Sequence, residues 1–346
     1  MKPKFARDQR VILRPLTSQY FEDLHRMMSY DPVAHLFEAE HLNTFGLPAT
    51  GRALPVRPPY GFVGIFEREV PDPGSLSAYS ETANPVPQVI RTMTQHFLGR
   101  SATTTPAPRE ELVGAIWLCG NCVPLQVPEQ YLDATAEFIM SNSRYLASIF
   151  GVAELVRPLW ERSQHGFQSV MDERPHQPLL YLAPHTQLHA QADLYRHNLR
   201  VPAIDYGVRW ARTTDRSSLL QASVAMFTEE VGYDPLERDA TGYARRVSEF
   251  ITGGRSLVAT NSEGVVVFKV DLGLAHNNHC QLQGVWLHPA YRGHGLSAPL
   301  LAQVCQLIRP RYAHISLYVN DYNARARALY RAVGFEQINT FSTILF

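Results

Sequence analysis

The stretch Val285-Trp286-Leu287-His288-Pro289-Ala290-Tyr291-Arg292-Gly293-His294-Gly295-Leu296-Ser297 decides how the chain is read. Its apolar start reads as a strand that ends at Leu287, where His288-Pro289 breaks it. Beyond the glycines, Leu296, Leu300, Val304 and Ile308 recur every four residues, the stripe of a helix. Two glycines and a serine thus stand where a loop turns into a helix. Successive backbone N–H groups at such a place converge on an anion, helped by the positive end of the helix. Glycine keeps side chains out of the path of phosphate oxygens. Pro299 lacks an N–H, which does least harm in a first turn whose donors have no intrahelical acceptor. The spacing matches neither Gly-x-x-x-x-Gly-Lys-Ser/Thr nor the three-glycine dinucleotide fingerprint.

Working outward, residues 207–346 have a clear rhythm. A short strand is expected at Gly207–Arg212, a helix from Asp215 to Glu230, and another over Ala240–Ile251 that stops at Gly253-Gly254. Strands follow at Ser256–Thr260, Gly264–Leu274 and Cys280–Leu287, the first two joined by a hairpin turn. After the glycine loop and its helix come a strand at His314–Val319, a helix at Asn323–Ala332 closed by Gly334, and a strand at Phe335–Phe346. The order β-α-α-β-β-β-α-β-α-β predicts an α/β fold, a mixed sheet with helices on both faces, and not an alternating Rossmann pattern.

The first half is less regular. Strands are expected at Val11–Leu16, Glu111–Leu118, Val123–Val127 and Arg144–Phe150, with helices at Ser18–Ser29, Glu129–Ser141 and Val152–Arg162. Residues 47–109 are rich in Pro, Gly, Ser and Thr and read as a flexible insertion. The organisation expected is a first domain over 1–173, a connecting segment over 174–206 and a second domain over 207–346.

The stretch quoted at the outset resembles the acetyl-CoA motif of the GNAT N-acetyltransferases, Arg/Gln-x-x-Gly-x-Gly/Ala, with Ser297 at the last small position. Downstream, Asn323-x-x-Ala326-x-x-Leu329-Tyr330-x-x-x-Gly334-Phe335 is similar to the second signature of that family. The likeness extends to a group with an uncharacterised N-terminal domain, through Ala225–Gly232, Leu317–Asp321 and Phe341–Phe346, and through Gly120–Pro124 and Gln177–Leu180 in the first half. Arg14-Pro15-Leu16-Thr17 before a helix resembles the opening of the same fold, so the first domain is expected to be a degenerate, non-catalytic copy. Ser148–Val152 is the place where its own CoA loop would stand; it has one glycine.

The resemblance implies transfer of an acetyl or short acyl group from acetyl-CoA to a primary amine by direct attack. It implies that Val285, Trp286 and Leu287 bind pantetheine through their backbone, the Leu287 N–H facing the thioester oxygen. Arg292, Gly293, His294, Gly295, Leu296 and Ser297 would hold the pyrophosphate. Tyr330 would be the general acid for the departing thiolate. Asn323 occupies a cofactor-contact position and also the place of a plain helix cap. The family's strand glutamate is missing, since Gln281 and Gln283 stand there and amides take no proton. A water chain, His288, Glu229 or Glu230 are the candidates for the base.

Composition restricts the rest. A hydrophobic content of 45 % in 346 residues suits globular domains, and 32 basic against 32 acidic residues give no global attraction to nucleic acid. Met1–Asp8 has no apolar run behind it and no stretch approaches a membrane span. Four cysteines do not make a disulfide framework, so a cytoplasmic location is expected. Cys119-x-x-Cys122 has no second pair, and His185-x-x-x-His189 lacks a glutamate, so no metal is expected. The expected partner is an amine acceptor, small molecule or peptide, with the chain a monomer or homodimer. A CoA-binding sensor or an interaction scaffold is the alternative.

Overall fold

A computed structural model describes residues 11–50, 60–68, 110–188 and 207–346. The first half runs β1 (Val11–Pro15), α1 (Phe21–Ser29), α2 (Leu36–Phe45), β2 (Gly61–Arg68), β3 (Glu110–Gln126), α3 (Leu132–Ser141), β4 (Leu146–Val152), α4 (Ala153–Ser163) and β5 (Asp172–Leu182). The second half runs β6 (Arg209–Trp210), α5 (Arg216–Val231), α6 (Pro235–Thr252), β7 (Ser256–Thr260), β8 (Val266–His276) and β9 (His279–Leu287). It finishes with α7 (Ser297–Ile308), β10 (His314–Tyr318), α8 (Ala324–Val333) and β11 (Glu336–Leu345). The second half has the order read from its sequence.

The first half repeats that order once the shape of β3 is recognised. A Cβ added to Gly114 would meet the Gln126 carbonyl oxygen at 2.3 Å, so the strand doubles back on itself. The fold is at Gly120, whose φ of +71° suits a residue without a Cβ. Strand alternation then assigns the helices. Phe62, Phe66, Ala115 and Trp117 face α1 and α2, whereas Val63, Ile65, Ile116 and Leu118 face α3 and α4. In the second half Val258 and Val266 meet α5 and α6, while Leu257, Ala259 and Val267 pack with α7 and α8.

All strands join one 11-stranded sheet in the order β1-β2-β3-β4-β11-β5-β10-β9-β8-β7-β6. The two halves meet by exchanging their last strands. Phe341–Leu345 of β11 run antiparallel to β4, and Leu179–Leu182 of β5 run antiparallel to β10. At this seam Thr343 donates to Gln177 Oε1 at 2.6 Å and Gln177 Nε2 donates to Asn320 Oδ1 at 2.8 Å. A second tie comes from α2, where Glu40 accepts from Arg255 at 2.7 Å and from the Ala275 N–H at 3.1 Å.

Three elements depart from the sequence reading. Strand β2 lies inside the span 47–109 read as an insertion, of which 51–59 and 69–109 fall outside the described residues. It is buried on both faces and so lacks alternation. Its Gly64 is crowded, since a Cβ there would displace the ends of the Leu16, Leu112 and Phe66 side chains. Strand β5 occupies 172–182, across the 173/174 boundary and into the segment read as a connector; 189–206 are outside the described residues. Pro175 and Pro178 argue against an inner strand, but β11 passes Pro178 between two bulges. Helix α2 was not apparent because its apolar residues form no single stripe.

Candidate functional site

The site begins with a break in strand pairing. Strands β9 and β10 are parallel, and their register holds only at His279–Gln281 against His314–Ser316. Beyond that, Leu282–Leu287 keep β8 on one side and lose β10 on the other. A bulge is the local cause: Lys269 faces Trp286 and Asp271 faces Gln283, so β9 holds one extra residue around Gly284, whose φ is +61°. An open strand edge of this kind can pair with an extended ligand.

The glycine loop stands at the end of that edge. Gly293 and Gly295 both have positive φ, +80° and +69°, and the surface from Gly293 to Gly295 is exposed. Among the described residues no acceptor meets the N–H of Gly293, His294, Gly295 or Leu296. Helix α7 follows with Leu296 as its N-cap and no side-chain cap bond, so its first amides are also open. This run of free donors at a helix mouth fits a pyrophosphate.

Arg292 is tied to the strand end and to α5. Its N–H donates to Pro289 O at 3.1 Å and its Nε to Leu287 O at 2.8 Å. Its Nη2 donates to both Glu229 oxygens at 3.0 and 2.8 Å. Glu229 also accepts from Trp286 Nε1 at 3.2 Å. One carboxylate on α5 therefore fixes both the strand end and the loop, and Glu229 is already engaged. His288 caps a 3-10 turn over Pro289–Tyr291, accepting from the Ala290 N–H at 3.2 Å.

On the α5–α6 side of β9 lies a cavity of about 230 Å³. Its floor holds Lys269, fully buried, paired with Asp271 at 2.6 Å. Ser256 donates to the other Asp271 oxygen at 2.6 Å, and Lys269 donates to Gly284 O at 3.2 Å. Glu230 lines the wall, and Gln283 projects from β9. Enclosure by the cleft raises the Glu230 carboxyl above the ordinary range, Lys269 and Arg174 hold it partly down, and Glu229 adds to the rise. Tyr243 donates to Ser223 O at 3.0 Å, and burial pushes its phenol up to about 12.

Tyr330 is buried on α8 in the main core of the second half, its ring 6.0 Å from that of Phe335. Burial raises its phenol well above the usual range and the Glu230 charge adds to it, which keeps the proton in place at neutral pH. Its hydroxyl has no hydrogen-bond partner among the described residues. Asn323 acts as the α8 N-cap, accepting from the Ala326 N–H at 3.0 Å. The charge of Arg174, from β5 of the first half, is the feature the sequence reading missed. It reaches Glu230 and Tyr318 only because the terminal strands exchange.

The first half has the same scaffold without the loop. Strand β3 pairs with β4 in parallel only at Gly120–Cys122 and then parts from it. Pro128 opens a 3-10 turn over Glu129–Tyr131, as Pro289 does over Pro289–Tyr291. Helix α3 then starts at once with Leu132, whereas five residues separate Tyr291 from α7. The counterpart of the glycine loop is thus at Tyr131–Leu132, and not at Ser148–Val152, which belongs to β4. Helix α4 contains no tyrosine and has Val152 at its cap. Cys122 is buried in the hairpin, its thiol pushed up to about 12, and Cys119 lies at the bend. Among the described residues no group of three or more His, Cys, Asp or Glu is placed to hold a metal, and no helix is long and apolar enough to cross a membrane. His185 sits in a turn and His189 lies outside the described residues.

The two halves match different family models. Residues 222–335 match the model of the acetyltransferase (GNAT) family, and residues 102–201 match a domain of unknown function, DUF4081. No curated protein matches the chain. Among solved structures, a GCN5-related N-acetyltransferase from Sphaerobacter thermophilus is similar over 97 % of this chain and 95 % of its own, with 13 % identity and a TM-score of 0.47. A tandem GNAT protein from the clavulanic acid biosynthesis pathway is similar over 96 % and 98 %, with 14 % identity and a TM-score of 0.44. A GNAT-family acetyltransferase from Colwellia psychrerythraea is similar over 97 % and 99 %, with 10 % identity and a TM-score of 0.45. Residues 222–335 thus carry a GNAT-family acetyltransferase domain, with a domain of unknown function ahead of it.

Proposed function

We propose that the protein is an N-acyltransferase that moves an acetyl or short acyl group from acetyl-CoA to a primary amine held in the α5–α6 cavity. The observation that carries this reading is the open edge of β9, with free loop amides at its end and the Glu230 cavity beside it. The free N–H groups of Gly293–Leu296 and the start of α7 hold the pyrophosphate, and Leu282–Leu287 receive the pantetheine arm along the edge. Acetyl-CoA supplies an activated acyl carbon as its thioester.

Glu230, made more basic by its enclosure, takes a proton from the acceptor ammonium. The amine nitrogen bonds to the acyl carbon while the carbon–sulfur bond breaks, and the Leu287 N–H supports the charge on the carbonyl oxygen. Tyr330 gives a proton, or a hydrogen bond, to the departing sulfur, which has a solution pKa of ~8.5. Glu230 replaces the strand carboxylate that Gln283 does not provide, because both side chains line one cavity. Glu229 and Arg292 hold the loop in shape.

The test is release of free thiol from acetyl-CoA by the full chain with a panel of amines. Amine-dependent release supports the reading. Tight acetyl-CoA binding with no amine-dependent release overturns it in favour of a CoA sensor, the role that Gln283 in place of a carboxylate would suit.

A further inference from the structure

The cavity floor is electrically closed. Lys269 and Asp271 neutralise each other at 2.6 Å, and their remaining polar atoms are met by Ser256 and the Gly284 carbonyl. A charged ligand gains nothing from such a pair and would have to break it. The walls differ. Glu230 from α5 and Arg246 from α6 both line the cavity, and neither has an ion pair or hydrogen bond among the described residues. Arg246 lies over the Phe250 ring at 5.9 Å, which steadies its stem. Phe227 and Tyr243, 5.8 Å apart and edge to face, form an aromatic wall alongside.

Two unpartnered charges of opposite sign on aromatic walls describe their complement. We infer that the acceptor is a free amino acid with an apolar or aromatic side chain, its ammonium at Glu230 and its carboxylate at Arg246. The inference rests on the acyl-transfer reading for the fate of the amine, but the binding geometry stands without it. A guanidinium is suited to a carboxylate because its planar donors can engage both oxygens. The cavity, about 230 Å³, is below the ~300–1,000 Å³ of pockets for drug-sized ligands, so it suits a single amino acid. A monoamine without the carboxylate leaves Arg246 unanswered.

The experiment compares phenylalanine and leucine with their decarboxylated amines, using the full chain and saturating acetyl-CoA, and reads kcat/KM from thiol release. Calorimetric titration of the same compounds measures binding independently of turnover. Wild type is expected to prefer the amino acid at least about tenfold, and Arg246→Gln to reduce that preference about tenfold, with Arg246→Lys retaining part of it. Arg246 is exposed on α6, so both variants should fold. If no compound is acetylated yet an amino acid binds wild type and not Arg246→Gln, the acyl-transfer reading fails while amino-acid binding between Glu230 and Arg246 stands. Equal or better use of the decarboxylated amine overturns it. So does a chain that binds acetyl-CoA and none of the panel, or an Arg246→Gln loss shared equally by both acceptors.

Discussion

The two halves of the chain build the same scaffold and fill it differently. Between α2 and the sheet the first half packs aromatic rings, Trp117 against His41 at 4.8 Å and Phe62 at 5.1 Å and Phe37 against Phe150 at 5.0 Å. Its cleft of about 420 Å³ lies between α1, α2 and the β8–β9 turn. Under α5 and α6 the second half leaves a cavity with a buried ion pair on its floor. Beyond the open strand edge, the first half starts a helix immediately, whereas the second inserts two left-handed glycines and leaves their neighbours' amides free. An aromatic interior stabilises, while a cavity and orphan donors cost stability unless a ligand fills them. In the proposed reaction the second half supplies the site and the first half supports it, and the exchange of β5 and β11 joins the two.

The largest effect that would sharpen this contrast is Tyr330→Phe. It removes the one phenol on α8, where α4 has none, and should lower kcat by about 10²–10⁴-fold. The affinity for acetyl-CoA, measured by titration, should change little. A variant with unchanged kcat would show that the second half does not use the feature the first half lacks.

Next in size is Gly295→Glu. A side chain at φ +69° is strained, and a carboxylate would repel the pyrophosphate from the free amides. Binding of acetyl-CoA should weaken by about 10²-fold or more. Wild type should bind one acetyl-CoA per chain. A second equivalent, or one that survives Gly295→Glu, would assign a site to the first half and remove the distinction.

Glu230→Gln should reduce kcat/KM by about ten- to a hundredfold and abolish the acid limb of its pH profile. The Glu230 pKa is raised in the folded state, so that limb should lie above the ordinary carboxylate range, with activity falling as pH drops through it. Linkage gives the stability counterpart. A raised carboxyl favours the folded state below its unfolded pKa, and this contribution is lost as pH rises through the folded value. Above the folded value, Glu230→Gln should therefore raise Tm relative to wild type, and it should flatten the change as pH rises from the ordinary carboxylate range. Loss of activity with no change in either pH dependence would point to a base elsewhere.

How much of this was legible in the sequence also differs between the halves. The order of the second half, down to strand Ser256–Thr260, could be read because α6, α7 and α8 carry apolar stripes and Gly253 and Gly334 close helices. The loop could be read because close approach of an anion restricts residue type locally. Strand β2 was hidden, since a strand buried on both faces among Pro-rich neighbours shows no alternation. Strand β5 was hidden because its partners, β10 and β11, lie more than a hundred residues away and no local pattern encodes an exchange. The cavity was invisible for the same reason: Glu230, Arg246 and Lys269 meet only after three elements pack. The motif gave no sign that Arg292 is tied to Leu287 and Glu229, a contact that forms only when α5 packs beside the loop.

That last point gives the smallest expected effect. If Glu229 works by holding Arg292 and Trp286, Glu229→Gln keeps the shape of the side chain and a hydrogen bond but loses the charge. The pair is partly exposed, and such pairs contribute roughly 0.2–1 kcal/mol, so the KM for acetyl-CoA should rise only about two- to fivefold. The rise should shrink further in high salt, because screening already weakens the wild-type pair. The pH limb assigned to Glu230 should survive, since the positioning residue takes no proton. A much larger fall in kcat, together with loss of that limb, would exchange the roles of the two glutamates. The first half offers the control: among the described residues α3 begins where the loop would be, so no loop stands at the end of β3 for a side chain to hold.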